Sequence, residues 1–194
     1  MATDIELIEA VLQGDVDRYA ELVNRYQSAT WQVAFGLVGN WEDAKDLSQR
    51  GFVKAYQHLR AFRRDAKFST WLYRIIVNEC KDFLRRRARQ PQVVALLPDP
   101  EADGFVLFDV VDPARHSGQV ALDHELARQL SEAVRGLALQ QRTAFVLHHL
   151  RGLSIEEAAG VMRCRIGTVK AHLFRACERL RERLAPYIAG GSEQ

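Results

Sequence analysis

Four nitrogen-bearing side chains recur at intervals of four, three and four residues: Arg74, Asn78, Lys81 and Arg85. In a helix this spacing places all four on one side, and three more arginines follow within the next four residues. Guanidinium and ammonium groups bind phosphate oxygens, and an asparagine among them can hydrogen-bond to a base edge. One or two arginines would suffice to complement a helix dipole, so the row predicts contact with a nucleic acid.

A second set of candidate residues precedes this row. The segment 60–68, RAFRRDAKF, mixes Phe62 and Phe68 with basic residues. Proteins bind single-stranded nucleic acid with this combination, because cations hold the backbone while aromatic rings stack on unpaired bases. Both phenylalanines are equally compatible with a hydrophobic core, and the core is the favoured position for Phe68.

The third candidate region is a helix-turn-helix. Ser154 and Glu157 have the spacing of a capping box, so a short helix is expected to start at Ser154 and to end at Met162. A strongly basic helix follows the turn RCR, as is typical of helix-turn-helix DNA-binding motifs. The predicted buried stripe of this second helix contains Val169, Leu173, Ala176, Leu180 and Leu184. The side chains then left to face a major groove are Lys170, Ala171, Phe174 and Arg175.

The charges are segregated along the chain although the net charge is only +2. Residues 1–50 contain nine acidic and four basic residues, a net charge of −5. Residues 60–89 contain ten basic and three acidic residues (+7), and residues 163–183 contain seven basic and two acidic residues (+5). Either patch alone is equally compatible with a solvated helix face, but two patches on one chain predict a polyanion held at two places.

The elements that must position these residues are predicted to be helices. Apolar residues recur with the helical period, and 194 residues suffice for two small domains that each bury a core. Gly51 falls in the middle of the third predicted helix, on its apolar side, which indicates a kink or a close approach of another element. Residues 90–119 hold four of the five prolines and five acidic residues. We therefore predict an all-α protein with a domain of residues 1–89, a flexible linker of residues 90–119 and a helix-turn-helix domain of residues 120–194.

Several functional classes are disfavoured by the sequence. No apolar run approaches the roughly 20 residues that cross a bilayer, and the amino-terminal segment is acidic rather than signal-like, so we predict a cytoplasmic protein without membrane insertion. The three cysteines form no CxxC pair. The adjacent residues His148 and His149 are expected to point in different directions on a helix. No metal site, cofactor or catalytic residue is predicted, which argues against an enzyme.

Taken together, these features resemble the bacterial RNA polymerase sigma factors of the extracytoplasmic-function (ECF) class of the sigma-70 family. The resemblance rests on three blocks: DAKDLSQRGFVKAYQHLRAF, FSTWLYRIIVNECKDFLRRR and QQRTAFVLHHLRGLSIEEAAGVMRCRIGTVKAHLFRA. It implies an alternative sigma factor that binds core RNA polymerase and directs promoter-specific initiation. Its region 2 domain would read and melt the minus-ten element, and its region 4 domain would read the minus-thirty-five element.

The resemblance also implies roles for individual residues. Residues expected at the minus-ten element, in duplex and melted form, are Phe62, Arg64, Lys67, Arg74, Asn78, Lys81 and Arg85. Residues expected at the minus-thirty-five element are Arg165, Thr168, Lys170, Ala171, His172, Phe174 and Arg175. Residues expected to bind core polymerase are Asp46, Leu47, Gln49, Arg50 and Phe52. Arg50 stands where the family usually has an acidic residue. The linker would thread the RNA-exit channel of the polymerase, and a cognate anti-sigma factor would cover one or both domains.

An alternative interpretation is a stand-alone helix-turn-helix transcriptional regulator of the response-regulator output type. Its DNA-binding domain shares the glycine, threonine and valine pattern of residues 167–169. Such a regulator would need a phosphoacceptor or ligand-binding domain ahead of the helix-turn-helix. The first 90 residues show helical periodicity throughout and no alternation of strands and helices, which favours the sigma factor.

Overall fold

The computed structural model of the chain describes residues 2–89 and 120–189. Every regular element in these two segments is helical, so the predicted all-α class is confirmed. The first segment contains α1 (Asp4–Leu12), α2 (Arg18–Val38), α3 (Trp41–Gln57), a 3-10 turn (Leu59–Ala61) and α4 (Phe68–Arg89). The second contains α5 (Val120–Arg135), α6 (Leu139–Phe145), a π-helical turn (Val146–Leu150), α7 (Ile155–Met162) and α8 (Ile166–Ala189). The predicted linker, residues 90–119, lies outside the described residues.

Helix ends follow the chemistry of the capping residues. Asn40 Oδ1 accepts a hydrogen bond from the Asp43 N–H at 2.9 Å and starts α3. The predicted capping box of Ser154 and Glu157 is present at the start of α7, with both reciprocal hydrogen bonds formed. Gly39 ends α2 in the left-handed region (φ +72°), where glycine is favoured because it lacks a Cβ.

Gly51 lies where α3 crosses α4. A Cβ added to Gly51 would lie only 2.1 Å from Ile76 Cδ1 and 3.4 Å from Ile76 Cγ1. Ile76 is fully buried, so its side chain has little space to move away. The predicted close approach is therefore confirmed, and it brings α4 near to the polymerase-facing helix expected from the sequence.

The two segments share one hydrophobic core. Leu37 of α2 and Val77 of α4 are fully buried in the same cluster as Val134, Leu147 and Ala158 of the second segment. A smaller cluster joins α1, α2, α3 and α4 within the first segment. The sequence predicts two domains but not this shared packing, which brings α7 against α4.

Arg142 on α6 reinforces the contact between the segments. Its Nη1 donates to the Leu37 carbonyl oxygen at 2.7 Å, and its Nη2 donates to the carbonyl oxygens of Arg135 and Leu137, the latter at 3.1 Å. Burial lowers the pKa of this guanidinium. One side chain thus satisfies the carbonyl groups at the end of α2 and around the turn between α5 and α6, where helix ends leave acceptors unpaired.

The Gly51 contact predicts an energetic coupling with Ile76. We expect Gly51→Ala to lower the free energy of unfolding by about 1 kcal/mol, because overpacking outweighs the gain in helix propensity. Ile76→Val removes Cδ1 and should cost about 1 kcal/mol alone. In the double variant the new methyl group occupies the space that Cδ1 leaves, so the two losses should be less than additive by roughly 0.5–1 kcal/mol. Urea unfolding of the four proteins measures this coupling, and strict additivity would contradict it.

Candidate nucleic-acid and polymerase interfaces

The helix-turn-helix consists of α7, a short turn and α8. Arg163 ends α7 in the left-handed region (φ +52°), and α8 begins three residues later. The predicted buried stripe of α8 is confirmed for Val169, Leu173, Ala176 and Leu180, while Leu184 is half-buried. The four residues predicted to face the groove are exposed: Lys170, Ala171, Phe174 and Arg175.

Phe174 is the most unusual of these groove-facing residues. Its side chain is 65% exposed, the largest value among the exposed large hydrophobic residues that the structure describes. Arg165 and Thr168, at the start of α8, are exposed as well. His172 differs from them, because it is half-buried and its Nδ1 is buried without a hydrogen-bond partner in the described part of the chain. Its ring is therefore less accessible to DNA than its neighbours are.

The predicted cationic row on α4 is only partly open to solvent. Asn78 and Arg85 are exposed, and Arg85 Nη1 donates to Asp82 Oδ1 at 3.3 Å. Arg74 and Lys81 are half-buried instead. Arg74 Nε donates to the Gly160 carbonyl oxygen of α7 at 3.1 Å. Burial, followed by the charge of Arg85, lowers the pKa of Lys81.

The loop before α4 separates its aromatic residues from its basic ones. Phe68 is buried, as the sequence favoured, and Phe62 is only 9% exposed, with its ring 5.7 Å from the Phe68 ring and 5.5 Å from the Trp71 ring between centroids. Arg64 is exposed, adopts a positive φ of 62° and pairs with Glu9 at 2.7 Å. Lys67 is exposed and pairs with Glu157 of α7 at 2.8 Å. The loop therefore presents cations, while Phe62 belongs to the core in this conformation.

The residues expected at core polymerase divide between the surface and the interior. Asp46, Gln49 and Arg50 are exposed on α3, and Arg50 Nη2 lies 2.8 Å from Asp46 Oδ2. Leu47 and Phe52 are buried, so in this conformation they support α3 from the core side and do not reach the surface.

Three large apolar residues of α3 that the sequence analysis did not single out are exposed. Val53 is 56% exposed, Trp41 is 38% exposed, and Tyr56 is 42% exposed with its ring against Tyr19. The sequence does contain a sign that Val53 is exposed. It lies seven residues after Asp46, so both residues fall on the same side of the helix. An exposed apolar residue among polar ones is a common feature of protein interfaces.

His148 and His149 are in contact, contrary to the expectation that they point apart. Their ring centroids lie 4.9 Å apart, in a segment that forms a π-helical turn. His148 Nδ1 lies 2.7 Å from the Leu153 carbonyl oxygen.

Among the described residues, no group of three or more His, Cys, Asp or Glu side chains could hold a metal ion. None of the described helices is long and apolar enough to cross a bilayer.

Known families and proteins match almost the whole chain. The Sigma-70 region 2 family matches residues 22–90, and the Sigma-70 region 4 family matches residues 127–180. The chain is 35% identical to the ECF RNA polymerase sigma-E factor of Haemophilus influenzae over 189 residues, which cover 96% of this chain and 97% of that protein. It is 34% identical to the RNA polymerase sigma-H factor of Pseudomonas aeruginosa over 95% of both chains.

Solved structures share the fold. The sigma factor RpoE of Bartonella quintana, in complex with the anti-sigma factor NepR, matches with a TM-score of 0.64 and 25% identity over 86% of this chain and 96% of that one. CnrH, in complex with the cytosolic domain of CnrY, matches with a TM-score of 0.62 at 24% identity over 93% of this chain and 96% of that one.

Two helical domains that match sigma regions 2 and 4, in that order along the chain, are the domain pair of a promoter-recognition subunit. The chain belongs to the ECF class of the sigma-70 family of RNA polymerase sigma factors. It binds core RNA polymerase and directs it to promoter DNA, so the predicted function and these two partners are confirmed. The alternative of a stand-alone regulator is not favoured, because a match to sigma region 2 occupies the part of the chain where that regulator needs another domain.

The exposed cations of α8 predict a measurable salt dependence. We expect Lys170→Ala to lower the slope of log affinity against log salt concentration by about 1 for the full chain on duplex DNA, because one phosphate contact is lost. Arg181→Ala is the matched control, since Arg181 is also exposed on α8 but lies beyond the half that enters the groove. Fluorescence anisotropy over a salt series gives both slopes. Equal slopes for the two variants would refute the assigned orientation of α8.

Proposed function

We propose that this sigma factor reads the minus-thirty-five element with α8 and the minus-ten element with α4 and the loop of residues 62–67. We further propose that it binds core polymerase with the exposed side of α3. The observation that carries the proposal is the presence of three separate solvent-facing surfaces: two are cationic, and the third, on α3, is mixed polar and apolar.

At the minus-thirty-five element, α8 offers both phosphate and base contacts. Lys170 and Arg175 are exposed cations that suit phosphate oxygens or guanine. Ala171 is exposed between them and is small, which lets the helix approach the base edges closely. Phe174 offers an apolar surface of the kind that contacts thymine methyl groups. Arg165 and Thr168 extend this surface at the start of α8.

At the minus-ten element, Asn78 is the residue best suited to read a base. It is exposed in the middle of the α4 row, and its amide can donate and accept hydrogen bonds at once. Arg85 supplies a phosphate contact beside it. Arg64 and Lys67 are placed to hold the backbone of a melted strand. A stacking role for Phe62 requires its ring to leave the cluster with Phe68 and Trp71.

The docking surface on α3 consists of Asp46, Gln49, Arg50 and Val53. These residues are spaced as successive turns of one helix side. Arg50 and Asp46 form a surface ion pair, so the reversed charge at position 50 is neutralised locally. Such pairs are weak, typically less than about 1 kcal/mol, and Arg50 remains available to an acidic group on the polymerase.

A cognate anti-sigma factor is a further proposed partner. It is supported by the Bartonella quintana RpoE structure, which contains the anti-sigma factor NepR. The mixed polar and apolar surface of residues 40–59 suits such a partner. We also propose that the protein acts in the cytoplasm and without catalytic chemistry of its own, as sigma factors do.

Run-off transcription tests the proposed function. Purified core polymerase is incubated with fragmented genomic DNA of the source organism, with and without the protein. Discrete transcripts that appear only with the protein identify its promoters. Duplex binding by the protein without any such transcript would favour the stand-alone regulator instead.

The α3 surface predicts that Val53→Asp weakens core binding by at least about tenfold, or ~1.4 kcal/mol, because a charge would be desolvated at an apolar contact. Val16→Asp is the matched control, because Val16 is 53% exposed and lies ahead of α2, away from this surface. Affinity is measured by anisotropy of labelled protein titrated with core polymerase. If both variants bind core as well as the parent does, α3 is not the docking helix.

The position of Asn78 predicts a defect in strand opening. We expect Asn78→Ala to reduce permanganate reactivity of thymines near the minus-ten element, because a base contact is lost while the exposed site tolerates the change in folding. Asn24→Ala, at an exposed position of α2, serves as the control. Undiminished reactivity with Asn78→Ala would remove this residue from the minus-ten site.

A further inference from the structure

The two turns that lead into α4 and α8 share an unusual backbone feature. Arg64 (φ +62°) and Arg163 (φ +52°) are the two residues other than glycine that have a positive φ in the part of the chain that the structure describes. Arg64 lies four residues before α4, and Arg163 lies three residues before α8. The left-handed conformation disfavours any residue that carries a Cβ, whereas glycine adopts it freely. Each turn therefore holds an arginine where a glycine would be less strained.

The backbone alone determines the conformation of the turn at Arg163. The Arg163 N–H donates to the Ala159 carbonyl oxygen, and the Cys164 N–H donates to the same oxygen at 3.2 Å. Hydrogen bonds of this kind end many helices on a left-handed residue, which is usually glycine. The turn thus needs a residue in the left-handed conformation but does not need an arginine side chain.

The side chain of Arg163 has no structural role that would offset this strain. It is exposed, and within residues 2–89 and 120–189 no hydrogen bond or ion pair holds its guanidinium. Arg64 differs, because it pairs with Glu9 at 2.7 Å. Residues 158–177 contain four lysine or arginine residues and no aspartate or glutamate. An unpaired cation at a strained position indicates a contact with an anion outside the chain.

Arg163 lies beside the residues that are proposed to bind the minus-thirty-five element. Arg165 follows two positions later and is exposed, and two peptide units keep the two Cα atoms within about 7.6 Å of each other. A Cβ added to Gly167 would meet nothing within 4 Å, so the surface at the start of α8 is open. A DNA backbone can therefore approach the turn and the first residues of α8 together.

We propose that Arg163 is a further DNA-binding residue, which contacts a phosphate at the edge of the minus-thirty-five element and so positions α8 in the groove. The inference rests on the proposed reading of this element by α8. A phosphate contact carries no base information, so Arg163 contributes affinity and register, while Lys170 and Phe174 meet the bases. The arginine also leaves the turn less stable than a glycine would, because its Cβ disfavours the left-handed backbone.

Three substitutions at position 163 separate charge from strain. Arg163→Gly removes both, Arg163→Asn removes the charge and tolerates the left-handed conformation, and Arg163→Lys keeps the charge. We expect Arg163→Gly to raise the melting temperature of the full chain by about 2 °C. The glycine and asparagine variants should bind a minus-thirty-five duplex, taken from a promoter found by run-off transcription, roughly threefold to tenfold more weakly. Their slope of log affinity against log salt concentration should fall by about 1, and the lysine variant should keep most of the affinity.

Thermal unfolding and fluorescence anisotropy measure these effects. Higher stability with lower affinity in Arg163→Gly is the expected result, since loss of a structural contact would lower both. Arg181→Asn is the matched control, because it removes the same charge from an exposed position beyond the half of α8 that enters the groove. Unchanged affinity and slope in the glycine and asparagine variants would overturn the proposal, and so would an equal loss in the control.

Base discrimination separates a phosphate contact from a base contact. The ratio of affinities for the minus-thirty-five duplex and for a duplex with those bases scrambled should be the same in Arg163→Gly and in the parent, because a phosphate is present in both duplexes. A smaller ratio in Arg163→Gly would show that Arg163 reads a base and would overturn its assignment to a phosphate.

Lys170→Ala in the same assay distinguishes failure of this inference from failure of the proposed function. Weaker duplex binding by Lys170→Ala but not by Arg163→Gly would refute the role of Arg163 and leave the reading of the element by α8 in place. If neither variant changes the affinity or the salt slope, α8 does not read this element, and the inference about Arg163 fails with it.

Discussion

The packing of α4 against three other helices is the constraint on which the rest of the structure depends. One side of α4 is buried against α2 and α3, and α7 packs along another side. The remaining side carries the residues that we propose to meet DNA. A helix of 22 residues is therefore the centre of the core and also the proposed binding surface. Because Ile76 fills the space that Gly51 leaves open, the position of this helix relative to α3 is closely determined.

The concentration of positive charge is tolerated because acidic residues from other elements pair with it. Glu9 of α1 meets Arg64, Asp43 of α3 meets Arg87 at 3.2 Å, and Glu157 meets Lys67. All three pairs join the cationic segment to a different helix. Each is exposed enough that it contributes little to stability, and each involves a cation that DNA phosphates would also attract. The pairs therefore stabilise the folded arrangement slightly, and their cations can still leave the carboxylates to bind DNA phosphates.

Much of the fold could be predicted from the sequence because local rules determine it. The cap at Asn40, the capping box at Ser154 and the buried stripe of α8 depend on residues close together in the chain. The shared core could not be predicted in this way. Tyr73 and Val77 lie beside the apolar residues through which α4 packs on its own domain, and they are spaced four positions apart, one helical turn. This spacing indicates a second apolar face, but the partner of that face is more than 80 residues away in sequence, where periodicity carries no information. The half-burial of Arg74 follows from the same long-range packing, whereas Phe62 is buried against Phe68 and Trp71 of its own domain.

The small residues of α7 restrict how this sequence can change. Ala158, Ala159 and Gly160 occupy consecutive positions on a helix that both supports α8 and lies against α4. A larger side chain at one of them alters two interfaces together, and Glu157 couples the start of the helix to Lys67 in the same way. Substitutions in this short helix therefore affect its support of α8 and its contact with α4 at the same time. The exposed residues of α8 escape this coupling, so promoter preference is expected to diversify there first.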